Sequence, residues 1–282
     1  MNYRHAFHAG GFADVTKHAI LTLILSHLRQ KETPFCVLDT HAGAGRYDLT
    51  GSEATRTGAA QEGALRLVAG AGTEGVAELA PYLACLRDVN PDWPKLHFYP
   101  GSPLIARCLM RPQDRLVAIE LHPDDARALK LLFAKDKQVA VHEADGYAAL
   151  KAHLPPKERR GLVLIDPPFE QPDEFRRLVH ALPEALHRFR TGIFAIWYPI
   201  KEIGPVERFR AEIGGLGRPA LAAELFQFPP DYPERLNGSG LIVINPPWKL
   251  DQTMTQLLPL LAEHLGATGD SRVIELSPTE TP

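Results

Sequence analysis

Leu162-Val163-Leu164-Ile165-Asp166-Pro167-Pro168-Phe169 sets an apolar run in front of a carboxylate, two prolines and an aromatic ring. An uninterrupted apolar run reads as a strand buried on both faces, as in a parallel sheet covered by helices. A polar residue ending such a strand lies on the carboxyl edge of the sheet, where open α/β folds bind ligands. The prolines fix φ and remove two backbone donors, so the turn is stiff and its carbonyls remain as acceptors. Asp166 and the Pro167 carbonyl can accept from an exocyclic amine while Phe169 stacks on the ring that carries it.

Outward from this strand, similar runs occupy residues 35–39, 115–120, 138–142, 192–198, about 219–227 and 240–245, mostly separated by helical stretches. Strands alternating with helices predict a doubly wound, mainly parallel α/β sheet, here of seven strands. A helix over 13–31 precedes it, with Val15, Ala19, Leu23 and Leu28 apolar and Pro34 as its stop. Between the last two strands the linker holds Pro229, Pro230, Pro233, Asn237 and Gly238 and no helix, which predicts an antiparallel last strand. About 75 residues separate the first two strands, too many for a simple crossover. Helical patterns near 61–70 and 76–89 make residues 46–95 an inserted helical subdomain of a domain built from 1–45 and 96–282. The tail after Ser277 is expected to fray.

A formal net charge of −3 over 282 residues exerts no global pull on nucleic acid, so any such contact must be local. Lys157, Arg159 and Arg160, or Arg107, Arg111 and Arg115, are candidates; each cluster also reads as a solvated charged face. Cys36, Cys85 and Cys108 are odd in number and scattered, which argues against a disulfide framework and a cysteine zinc site, and for a reduced, cytoplasmic setting. The polar start Met1-Asn2-Tyr3-Arg4-His5 is not a signal peptide, and no apolar run reaches the roughly 18 residues of a membrane span. Nothing calls for a protein partner, and a monomer is expected.

Three more strand ends are polar. The first runs into Asp39-Thr40-His41-Ala42-Gly43-Ala44-Gly45, where glycine lets backbone approach a bound nucleoside. A dinucleotide fingerprint would place a third glycine at position 48; Asp48 there disfavours a pyrophosphate and a hydride-transfer enzyme. The second ends in Glu120, where a carboxylate grips a ribose diol, and the third in Ala144-Asp145-Gly146. Four acidic strand ends in succession predict a nucleoside-type cofactor site. Ser102-Pro103 reads as a serine helix cap with proline at the first helical position; whether the serine also meets the ligand is open.

His5, His8, His18, His27 and His41 crowd the first 41 residues. With no carboxylate or cysteine at ligand spacing, no metal site is expected, and Tyr3, His5, Lys17 and His18 are better candidates for nucleotide or RNA contact. Asn245-Pro246-Pro247-Trp248 duplicates the Asp166 turn at the end of another apolar strand. If that strand is antiparallel, its end lies on the opposite sheet edge, too far from the glycine loop to share a substrate.

A glycine loop followed by Asp-Pro-Pro-Phe resembles the S-adenosylmethionine-dependent amino-methyltransferases. Tyr3-Arg4-His5, Phe7-His8-Ala9-Gly10, Ala13-Asp14-Val15, Leu38 to Tyr47, Tyr99 to Pro103, Arg159 to Leu162 and Trp197-Tyr198-Pro199 look like the RlmJ family, over essentially the whole chain. The resemblance implies a Rossmann-like methyltransferase fold and N6-methylation of one adenine in 23S ribosomal RNA. It implies that His18, His41, Ser102, Glu120, Asp145, Gly146 and Asp166 meet or neighbour the cofactor, S-adenosylmethionine, and that Tyr3 meets the substrate. Gly43, in the glycine loop, joins the cofactor set. The family's commoner aromatic after the prolines is tyrosine, so Phe169 keeps the stacking and loses a hydroxyl. The rival readings are a DNA adenine-N6 methyltransferase with the same chemistry and a non-catalytic RNA-binding protein.

Overall fold

In a computed structural model the described residues are 5–70, 72–230, 232 and 235–276, so Tyr3 lies outside them. The chain begins with α1 (Phe12–Arg29) and β1 (Cys36–Asp39), then β2 (Arg46–Asp48), α2 (Ser52–Thr57), α3 (Ala59–Glu62), α4 (Ala64–Ala69), α5 (Ala80–Asp88) and β3 (Phe98–Pro100). Helix α6 (Ser102–Leu109) leads to β4 (Arg115–Glu120), α7 (Pro123–Leu132), β5 (Val139–Glu143), α8 (Gly146–His153) and β6 (Gly161–Ile165). The rest is α9 (Glu174–Arg188), β7 (Ile193–Ile200), α10 (Ile203–Gly214), β8 (Ala220–Phe226), β9 (Gly238–Ile244), α11 (Leu250–Leu265) and β10 (Ser271–Leu276).

The main sheet runs β10-β8-β9-β7-β6-β1-β4-β5. It has eight strands among the described residues, one more than the seven expected. The additional strand, β10, pairs antiparallel with β8 at the sheet edge. From β5 to β7 every pairing is parallel, while β9 runs antiparallel to both β7 and β8, as its short proline-rich linker requires. The two short strands β2 and β3 form a separate antiparallel pair that the sequence reading did not anticipate.

Strand side chains divide by parity. Val37, Leu116, Leu162 and Leu164 face the core that holds α1, α5, α6 and α11, whereas Leu38, Val117, Val163 and Ile165 face α8, α9 and α10. Helices cover both faces, which is why β6 is buried along its whole length and reads as an unbroken apolar run. Within 46–95, Leu67, Leu79, Tyr82 and Leu83 join the same apolar cluster as α1. Strand β6 lies beside β1, so Asp166 and the glycine loop leave adjacent strands at the same sheet edge.

Candidate active site

At that edge lies a cleft of about 810 Å³ lined by the glycine loop, the start of α1, the ends of β4 and β6, and residues beyond β7. His5, Lys17, His18, His41, Gly43, Ser102, Glu120, Asp145, Gly146, Asp166, Pro167 and Phe169 all line it. The structure therefore brings together every anticipated site residue that falls among those described.

The glycine loop turns on Gly43 and Gly45, at φ +61° and +79°. A Cβ at Gly43 would sit 2.0 Å from the Tyr47 hydroxyl, so a larger residue would have to displace that ring and also hold a strained positive φ. Gly43 N donates to Glu120 Oε2 at 2.8 Å and His122 N to Oε1 at 2.7 Å, which locks the strand-end carboxylate against the loop. Burial raises the Glu120 pKa against these hydrogen bonds. Each of its oxygens retains a further acceptor site.

Beneath the loop, Asp39 is fully buried. Burial, with the charge of Asp166 adding to it, pushes its carboxyl up to about 7 against hydrogen bonds from Ser102 and His41 N–H. Its Oδ2 has no hydrogen-bond partner among the described residues. Ser102 was expected to cap α6; instead Gly101 occupies the cap with no side-chain hydrogen bond, and Ser102 is the first residue of the helix and lines the cleft. His41 Nδ1 pairs with Thr40 Oγ1 at 2.8 Å, and burial lowers its pKa to about 4, so the ring is neutral near pH 7. His18 is also buried and neutral, its Nδ1 2.8 Å from the Tyr99 hydroxyl. Asp145 caps α8 by accepting from Ala148 N at 2.9 Å, and a Cβ at Gly146 would press 2.3 Å from Thr40 O.

The opposite wall is the Asp166 turn. Phe169 takes φ +49°, a conformation unusual for an aromatic residue. Its ring stands edge-on to Trp197 and Phe175, with centroids 5.7 and 5.0 Å away. Lys17 Nζ lies 2.5 Å from Asp166 Oδ2 and 2.8 Å from Asp14 Oδ1, and 5.9 Å from the Trp197 centroid. The other Asp14 oxygen accepts from Gly10 N at 3.0 Å and lies 2.9 Å from His5 Nε2. Burial opposes charge on both members, yet the His5 and Lys17 charges hold Asp14 well below the carboxylate range, and Asp14 and Asp166 raise Lys17. Asp14 and Trp197 complete a wall to which the sequence assigned His5, Lys17, Asp166, Pro167 and Phe169. The signal for Asp14 was its place three residues before Lys17, one turn along the helix.

Asn245 points elsewhere: its Nδ2 donates to Arg190 O and Gly192 O, at the far edge where β7 begins. Of the basic clusters, Arg111 and Arg160 donate to carbonyls at and beyond the end of α1, and Arg115 pairs with Glu158. Those residues hold the fold together, away from the cleft. Among the described residues no three His, Cys, Asp or Glu side chains converge as metal ligands, and no helix is long and apolar enough to cross a membrane.

Residues 32–276 match the family described as RsmJ: Ribosomal RNA large subunit methyltransferase D, RlmJ. The chain belongs to the RlmJ family. Its relatives include ribosomal RNA large subunit methyltransferase J of Escherichia coli (strain K12), 45% identical over 270 residues and 95% of each chain. The protein of the same name from Haemophilus influenzae is 43% identical over the same share. A crystal structure of a Legionella pneumophila protein superposes with TM-score 0.86 at 33% identity, covering 97% of this chain and 99% of that one. RlmJ membership thus extends over both walls of the cleft, the glycine loop and the Asp166 turn.

Proposed function

We propose that this cleft binds S-adenosylmethionine and transfers its methyl group to N6 of an adenine in 23S ribosomal RNA. The observation that carries the reading is that Asp166, Pro167 and Phe169 share one cavity with Gly43 and Glu120 in an RlmJ-family chain. The residues present suit the cofactor. Glu120 is fixed at the strand end for a ribose diol, the glycine loop lines the cleft where a nucleoside would lie, and buried Asp39 offers negative charge to an ammonium and a sulfonium. His18, His41, Ser102, Asp145 and Gly146 complete that wall. When bound, S-adenosylmethionine supplies an electrophilic methyl group on sulfur.

The protein's task is positional. An adenine N6 lone pair is delocalised into the ring and is a poor nucleophile. Lys17 takes Asp166 Oδ2, which leaves Oδ1, with the Pro167 carbonyl, to accept the two amine hydrogens and draw the lone pair toward the methyl. Held by Lys17, Asp166 orients the amine rather than carrying its proton away; the methylated nitrogen is acidic enough to lose that proton readily. Flipping the base out costs a few kcal/mol, and stacking on Phe169 returns about 1–3 kcal/mol. His5, tied to Asp14, lines the cleft and is placed to meet the base. The helical interval 46–95 is an insertion that supplies Thr57, Ala59 and Glu62 to the rim.

The test is transfer of labelled methyl from S-adenosylmethionine to a 23S rRNA transcript, with mass mapping of the product nucleoside. N6-methyladenine at one site is expected. Modification of duplex DNA in preference to the transcript, or no transfer to either, overturns the reading.

A further inference from the structure

Between β8 and β9, Phe228, Arg235 and Leu236 line the cleft, and Arg235 is a cation that the transfer chemistry does not use. Arg235 Cζ lies 3.8 Å from the Phe228 ring centroid and 4.4 Å from that of Tyr232. Its Nε donates to Asn237 Oδ1 at 3.2 Å. Asn237 is completely buried and cannot drift: its Nδ2 donates to Lys201 O at 2.9 Å and Tyr232 O at 2.7 Å, and its backbone N to Ile200 O at 2.9 Å. A residue rooted in the sheet edge therefore sets the angle of an exposed guanidinium.

Such an arrangement has a specific chemical preference. Arg235 lies over two aromatic rings, which attract its guanidinium and favour an orientation that leaves its N–H edge for an anion. One of its five N–H groups is committed to Asn237, and the four on the terminal nitrogens form the planar fork that matches a phosphate or carboxylate. Among the described residues its polar partner is this neutral amide and not a carboxylate. Arg235, Phe228 and Lys201 line the same cavity as Asp166 and Phe169. With an overall charge of −3, the protein must draw a polyanion through local sites of this kind.

We propose that Arg235, with Lys201 on the same wall, binds a backbone phosphate of the RNA strand adjoining the adenine held at Asp166. The proposal rests on the RNA-methylation reading above and adds a fixed anion contact that sets the strand's register. Phosphate contacts position a nucleic acid without reading its sequence, so the base itself is left to the Asp166 turn.

Two measurements test it on the full-length protein. The first is equilibrium binding of a fluorescent single-stranded RNA at several salt concentrations, with Arg235→Gln, Arg235→Lys and Lys201→Gln. Arg235→Gln is expected to weaken binding roughly tenfold, equally for different sequences, and to lower the slope of log affinity against log salt by about 0.7. Arg235→Lys keeps charge without the fork and falls between the two. The second is methyl transfer: in Arg235→Gln the KM for RNA rises while kcat and affinity for S-adenosylmethionine stay close to wild type. That unchanged cofactor affinity also shows that the variant is folded. Wild-type RNA affinity and salt slope in Arg235→Gln overturn the phosphate site. A wild-type protein that binds RNA but methylates none overturns the reading beneath it, and the binding comparison still decides the role of Arg235.

Discussion

Lys17 Nζ stands between two carboxylates, 2.8 Å from Asp14 one turn back on α1 and 2.5 Å from Asp166, which lies 149 residues further along the chain. The side chains of Lys17 and Asp14 are each 4% exposed and that of Asp166 12%. Removing one partner of a buried ion pair costs about 3–5 kcal/mol, because the charge left behind is neither paired nor hydrated. Lys17→Met is therefore expected to lower Tm markedly and to abolish methyl transfer. The pH dependence has a definite sign. Asp14 is held below its unfolded pKa by His5 and Lys17, so its contribution is present above that pKa and lost as pH falls through the folded one. The Tm gap between wild type and Lys17→Met should be widest near neutrality and close in acid. A gap that is absent at pH 7 removes the bridge as a stabilising feature.

Asp166→Ala is expected to abolish transfer while leaving affinity for S-adenosylmethionine within a few-fold of wild type, since Lys17 keeps Asp14 and the glycine wall is untouched. Calorimetry with the cofactor separates this from misfolding. Substantial turnover in the variant would move the amine-holding role to another group.

The duplicate turn supplies the matched control. Asn245 holds φ +54° and donates to two carbonyls across the far edge of the sheet. Asn245→Ala loses both hydrogen bonds and strains the backbone, at about 1–3 kcal/mol. Tm should fall while kcat per folded molecule stays at the wild-type value. A collapse of kcat with cofactor binding intact would show that this edge reaches the substrate after all.

Legibility in the sequence followed the physics of each feature. The apolar runs at 115–120 and 161–165 are buried on both faces, so composition alone marks them, and their polar ends Glu120 and Asp166 mark the ligand edge. Strand β10 escaped because it lies at the sheet margin, mostly half-buried, with Arg272 and Glu275 breaking the apolar pattern. Strands β2 and β3 are three residues each and exist through their mutual pairing, which spans the whole helical interval. Lys17 reads as a substrate contact, but its bridge to Asp166 leaves no local signal, because the partner lies 149 residues away and only the fold buries the pair. Ser102 reads both as a helix cap and as a cofactor contact; the fold gives the cap position to Gly101 and leaves the serine lining the cleft.

Asp39 yields the last prediction. Burial and the charge of Asp166 raise its carboxyl to about 7, so in the cofactor-free protein it titrates across the neutral range. Bound cationic groups in the adjoining cleft favour the ionised form, and the proton is released on binding. Affinity for S-adenosylmethionine should accordingly rise as pH is raised from 6 to 8, by up to about tenfold if only the carboxylate form binds well. His41, lowered to about 4, stays neutral over that interval and does not contribute. The stability term has the opposite slope: a carboxyl raised above its unfolded pKa binds its proton more tightly in the native state, so apo-protein stability falls as pH rises from about 4 to 7. Asp39→Asn should flatten both dependences together. Calorimetric titrations and thermal unfolding at matched pH values provide the comparison, and a cofactor affinity that rises equally in wild type and Asp39→Asn assigns the titration to another group.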